Sequence, residues 1–178
     1  MSTKSQVGIV MGSDSDLATM NAAAKILEEF GIVSEIRVLS AHRTPAQVVA
    51  WVEKAEGSGI EVFIAGAGVS AALAGVVAAH TTCPVIGVPL TSRSSAAGGL
   101  DALLSITQMP PGVPVGSMAL DGAKNAGIFA AQIIGVANET VRVKVRAYKE
   151  KMAKDIVAKD AELQTKGAAQ YLSDHGRS

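Results

Sequence analysis

Cysteine occurs once in this chain of 178 residues, at Cys83, so no internal disulfide can form and a reducing compartment suits it. The thiol precedes Pro84 in an apolar run, the setting of a buried structural cysteine rather than a nucleophile. Aromatic residues make up 3% of a chain that is 48% hydrophobic, so the core must be assembled from Ala, Val, Ile, Leu and Gly. Neither sign of charge is in excess: 16 Lys and Arg balance 16 Asp and Glu, which argues against nucleic acid or an anionic membrane as partner. Histidine appears three times, without acid–histidine pairs at ligand spacing, so no metal is expected. The opening "MSTKSQ" lacks an apolar signal segment, and a cytoplasmic location is expected. Residues 62 to 79, "VFIAGAGVSAALAGVVAA", approach membrane-spanning length, but Ala and Gly dominate the run and His80 and Pro84 follow it. A buried strand, turn and helix accounts for it better.

What is present is a repeated switch between short apolar runs and longer helical patterns. Strands are expected at 6–11, 32–38, 60–65 and 84–88, with a short fifth inside "MPPGVPVGSM". Helices are expected from Asp16 to Phe30, from Pro45 to about Glu56, up to His80, over Leu100 to Ile106, and over Gly122 to Ile134. Five β-α units in succession imply an α/β, three-layer, flavodoxin-like doubly wound sheet with a five-stranded parallel core in the order 2-1-3-4-5. Residues 1–135 form this domain and 136–178 a C-terminal helical extension. The extension holds nine of the 16 basic residues and six of the 16 acids. Within it Val141, Val145, Tyr148, Met152 and Ile156 make one apolar stripe that needs a surface to cover, on this domain or a neighbouring subunit. The final "KGAAQYLSDHGRS" has little pattern and is expected to fray, with His175 an idle tail residue.

In that strand order the switch point falls between the first and third strands, where the loops 12–16, 40–45 and 65–70 meet. "GAGVSA" (66–71) invites a dinucleotide, but no acid follows at the end of the next strand to hold a ribose, so that reading is set aside. "GSDSD" reads as a capping box, Ser13 with Asp16. It reads equally as an anion site built from Gly12, Ser13 and Ser15, with Asp16 accepting from sugar hydroxyls. In "VLSAHRTP", Thr44 and Pro45 suffice as N-cap and first helical residue. That leaves His42 and Arg43 without a structural duty. A guanidinium beside serine hydroxyls is a good bidentate phosphate ligand, and an imidazole suits proton transfer near neutrality. His80, in a helix's last turn, is explained by the helix dipole. There is no P-loop and no lysine in these loops. The residues describe a binder of a small phosphorylated sugar derivative with one proton shuttle.

Taken in order, "GIVMGSDSDLATM", "VLSAHRTP", "FIAGAG", "PVIGVP" and "LLSITQMPPGVPVGSMA" resemble the PurE family of purine biosynthesis over residues 7 to 135, with "QMPPGVPV" nearest to its class I mutases. The resemblance implies a nucleotide substrate, N5-carboxyaminoimidazole ribonucleotide, whose carboxylate moves to ring carbon 4 through enclosed carbon dioxide, without metal or organic cofactor. It implies His42 as the catalytic proton relay, Ser15, Ser40 and Arg43 around the phosphate, and Asp16 on the ribose. Ser13, Ala41, Ala65, Gly66 and Gly68 match pocket-lining positions, and family members are homo-octamers. One stretch departs: in "GVSAALAG" (68–75), Ala72 stands where the family carries a histidine and Ala74 where it carries a proline. That leaves a class II enzyme, carboxylating aminoimidazole ribonucleotide directly, and a non-catalytic nucleotide-binding module as alternatives.

Overall fold

In the computed structural model, which describes residues 4–176, the chain divides into two compact units, Met1–Arg142 and Val143–Ser178. The first contains a sheet of β1 (Val7–Met11), β2 (Ser34–Val38), β3 (Val62–Gly68), β4 (Val85–Leu90) and β5 (Gly116–Ser117). Their order is β2-β1-β3-β4-β5 and every neighbouring pair is parallel, as the flavodoxin-like reading expects. The connecting helices are α1 (Leu17–Glu29), α2 (Pro45–Ser58), α3 (Leu73–Ala79) and α4 (Leu100–Thr107), and α5 (Ala123–Gly135) follows the sheet. Helix α1 packs on α5, and α2 packs on α3.

β1 and β4 are buried along their whole length, which is why they read as continuous apolar runs rather than alternating ones. With so few aromatics, a large aromatic pair in the core has to be accommodated by small neighbours. Trp51 meets Phe63 edge to face, ring centroids 5.4 Å apart, and its Nε1 donates to Glu35 Oε1 at 3.0 Å. Gly8 makes room for them, since a Cβ there would stand 2.9 Å from Phe63. Burying a side chain such as Phe63 contributes about 1.5–3 kcal/mol, so this packing repays the absence of a side chain at Gly8.

Three local expectations need correction. β3 extends to Gly68 rather than ending at Ala65, so most of the glycine-rich segment is strand and not loop. Thr44 occupies the N-cap of α2 but caps nothing with its side chain. Its Oγ1 instead accepts from Ser40 N at 2.9 Å and donates to Ser40 O at 3.2 Å, closing the preceding turn. Toward the C-terminus, α6 (Glu139–Lys166) gives way at Gly167, φ +75°, to a further helix, α7 (Ala168–Asp174), within the stretch expected to fray. Lys166 Nζ bridges Glu162 and Asp174 at 2.8 and 2.7 Å, and His175 stacks on Tyr171 with centroids 4.2 Å apart. Side-chain links of this kind leave no periodic signature. Among the described residues, no helix is long and apolar enough to cross a membrane.

Candidate functional site

Beyond the carboxyl ends of β1 to β4 lies an open cavity of about 390 Å3. The segment after β1 supplies Gly12, Ser13, Ser15 and Asp16, and the segment after β2 supplies Ser40 to Arg43. The end of β3 and the start of α3 supply Ala67 to Ser70, Ala72 and Leu73, and Ser92 follows β4.

The first loop is shaped by its own hydrogen bonds. Ser13 N donates to Asp16 Oδ2 at 3.1 Å and Ser15 N to Ser13 Oγ at 3.4 Å, a capping box around a single 3-10 turn over Asp14–Asp16. The Ser15 hydroxyl donates to Ser13 Oγ at 3.0 Å, so both hydroxyls stand together at the mouth of α1. Partial burial pushes the Asp16 carboxyl above the ordinary carboxylate range. The Ser13 N–H and Ser15 hydroxyl draw it down, Asp14 raises it further and Arg43 lowers it, without reversing the direction.

The second loop is a turn tied at its base. Besides the Thr44 contacts, Thr44 N donates to Ser40 O at 2.9 Å and Arg43 N to Ser40 Oγ at 3.2 Å. Ala41, His42 and Arg43 therefore project from a closed turn, with His42 exposed on the cavity side. Arg43 Nη2 reaches across to donate to Gly12 O at 2.6 Å, tying the β2 loop to the β1 loop. A guanidinium has five donors, so this one bond leaves the fork free to take an anion beside Ser13 and Ser15.

The structure thus gathers Ser13, Ser15, Asp16, Ser40, Ala41, His42, Arg43 and Gly68 around one cavity. Ala65 and Gly66 lie outside its wall. Strand β3 still runs through them: Ala65 is fully buried in the apolar cluster with Val48, Trp51 and Leu73, while Gly66 is buried with its α-carbon against Met20 of α1. A Cβ on Gly66 would lie 2.8 Å from Met20 Cε, so glycine is needed there for packing.

Val69, Ser70, Leu73 and Ser92 were not singled out by sequence reasoning. Val69 has φ +55°, a left-handed conformation that is a genuine outlier for a β-branched residue and is held at an estimated ~1–3 kcal/mol of strain. Nothing in the local sequence signals it. Ser92 could have been found from "TSRSS" after the fourth strand, a polar loop on the ligand-facing end of the sheet. Ala72, where the chain departs from the PurE pattern, lines the cavity. Among the described residues, no three His, Cys, Asp or Glu side chains gather as a metal site.

Comparison with known proteins gives the same direction. A family model described as AIR carboxylase matches residues 6–155. The chain is 50% identical over 173 residues to the N5-carboxyaminoimidazole ribonucleotide mutase of Pyrococcus horikoshii, covering 97% of each chain. It is 52% identical over 168 residues to the protein of that name from Thermotoga maritima, covering 94% of this chain and 97% of the other. The crystal structure of Treponema denticola PurE matches with a TM-score of 0.81 at 33% identity, over 88% of this chain and 97% of that one.

Proposed function

This chain belongs to the AIR carboxylase family, the PurE enzymes, and on that premise we propose that it is a purine-biosynthesis mutase converting N5-carboxyaminoimidazole ribonucleotide to the 4-carboxy isomer. The observation that carries the reading is the single turn presenting His42 and Arg43 toward Ser13, Ser15 and Asp16 across one cavity. Arg43 with Ser13, Ser15 and Ser40 holds the phosphate, and Asp16 accepts from the ribose. Ala41 and Gly68 approach the ring closely because neither has a side chain beyond a methyl.

The substrate brings its own nucleophile and its own carbon dioxide. Cleavage of the nitrogen–carboxylate bond releases carbon dioxide into the cavity and leaves a pair of electrons on nitrogen, where His42 delivers a proton. Ring carbon 4, an enamine carbon, then attacks the carbon dioxide, and the proton that it must lose returns to His42. No net proton or electron is exchanged with solvent. No metal or organic cofactor is required by that sequence. Residues 1–135 carry the site, and 136–178 are a C-terminal helical extension whose exposed Met152, Ile156 and Val157 suit assembly into the homo-octamer of the family, in the cytoplasm.

The test compares both carboxylated isomers with free aminoimidazole ribonucleotide plus bicarbonate, followed by ultraviolet absorbance. Conversion of the N5-carboxy isomer without added bicarbonate is expected, and His42→Asn should slow it by ~100- to 10,000-fold while ligand affinity stays within a few-fold. Direct carboxylation as the preferred reaction would favour the class II alternative, to which Ala72 in the wall lends an argument. A folded His42→Asn protein at the wild-type rate would remove the proton relay and favour a non-catalytic module.

A further inference from the structure

The substrate of the proposed reaction is more anionic than the cavity walls can balance. Its phosphate carries roughly −1.5 to −2 at neutral pH, and the carboxylate adds another charge. The cavity offers one fixed cation, Arg43, which already donates to Gly12 O and shares the wall with the Asp16 carboxylate. Across the loops that follow all five strands, the chain places just two Lys or Arg residues: Arg43 and Arg93. Lys124 comes next, inside the first turn of α5 beyond the edge strand β5.

Arg93 follows Ser92, the wall residue contributed by the β4 loop. The loop is anchored on either side of it. Thr91 N and Oγ1 donate to the Asp121 carboxylate at 2.9 and 2.7 Å, and Ser95 Oγ donates to Asp101 Oδ1 at 2.7 Å. Between these anchors Ser95 N donates to Ser92 O at 3.0 Å, which closes a tight turn with Arg93 at its second position. Arg93 is exposed at that apex. The backbone near Gly68 holds this loop close, since a Cβ on Gly68 would meet Ser92 Cβ at 3.5 Å.

Strand order decides which end of the substrate it meets. Arg43 and the paired serines lie on the β2–β1 side of the cavity, and the Arg93 turn lies on the β4 side, with the end of β3 between them. The geometry points to Arg93 as a specificity-determining residue that pairs with the carboxylate of the substrate while Arg43 holds the phosphate. This inference rests on the mutase reading and extends it: Arg93 discriminates carboxylated from uncarboxylated aminoimidazole ribonucleotide.

Titration calorimetry on the full-length wild type, Arg93→Gln, Arg93→Lys and Lys124→Gln, with each of the two ribonucleotides, tests it. Arg93→Gln should weaken binding of the carboxylated ligand by ~10- to 100-fold, the loss expected for one charge-assisted pair, and leave the uncarboxylated one within about twofold. Arg93→Lys should restore part of the difference, and Lys124→Gln should leave it intact. An unchanged preference in Arg93→Gln, equal weakening of both ligands, or a loss confined to Lys124→Gln would overturn the assignment. If the wild type binds neither ribonucleotide, the mutase reading fails and takes this one with it; if it binds both and Arg93→Gln changes nothing, Arg93 alone is wrong.

Discussion

Replacing Arg43 separates what its charge does from what its shape does. Its guanidinium donates to Gly12 O at 2.6 Å and, in the proposed complex, to the substrate phosphate as well. A hydrogen bond to a charged group is worth about 1.5–3 kcal/mol, and the phosphate pair is of that kind. The residue is exposed, so screening by solvent and salt puts the figure toward the low end. Arg43→Ala should therefore raise KM by ~10-fold at moderate salt and approach ~100-fold at low salt, with kcat within a few-fold. Arg43→Lys keeps the charge but has no planar fork, so it cannot hold Gly12 O and a phosphate together. It should fall between the two, and nearer to wild type as salt is lowered. Initial rates give KM and kcat, and inhibition by ribose 5-phosphate isolates the phosphate contact from the ring. Thermal unfolding of the same proteins should shift little, because the Arg43 side chain covers no core. An Arg43→Ala enzyme whose KM and ribose 5-phosphate inhibition match wild type would remove the phosphate from this loop.

Two further outcomes follow from the site's local chemistry. Asp16 holds its proton to higher pH in the folded chain than in the unfolded one because burial disfavours its charge, so its contribution to stability falls as pH rises from the ordinary carboxylate value to the raised one. Asp16→Asn should remove that decline, seen as a stability gap between variant and wild type that opens in the variant's favour across that window in urea titrations; a gap that is constant with pH, or opens the other way, would show that burial does not govern this carboxyl. Gly66→Ala should destabilise the fold by ~1–3 kcal/mol through overpacking against Met20, softened by that side chain's flexibility, while KM stays unchanged. A raised KM with normal stability would return Gly66 to the cavity wall.

The parts of this molecule that could be read from sequence are those set by short spacings. The sheet order follows from five apolar runs separated by helical ones, and the Ser13–Asp16 capping box follows from residues three apart. The turn carrying His42 and Arg43 was found because their side chains had no duty in starting α2. Features that depend on distant residues were not legible. Gly66 is buried because Met20, from another element, fills the space beside it, and only the assembled sheet reveals that. Thr44 had the right identity for an N-cap, yet its hydroxyl is engaged by Ser40 on the other side. Val69 adopts a backbone conformation that no valine would signal, and α7 is held by Lys166 and a Tyr171–His175 stack rather than by periodicity.

The departure in "GVSAALAG" shows how a sequence difference can be judged once burial is known. A proline at the start of α3 would supply a preset φ and nothing else that the helix needs. Ala74 stands there instead, fully buried, with Leu73 nearly so, and α3 forms over Leu73–Ala79 on that packing. The fold therefore tolerates Ala74. Ala72 is different, because it lies in the cavity wall, where its N donates to Ser70 O at 2.9 Å and its side chain ends at a methyl. An imidazole at that position would add a second donor, acceptor and titratable ring to a wall whose polar groups are already the His42 imidazole, serine hydroxyls, the Asp16 carboxylate and the Arg43 guanidinium. An alanine here leaves the wall less polar than an imidazole would and leaves α3 intact, so Ala72→His is expected to change substrate preference more than stability.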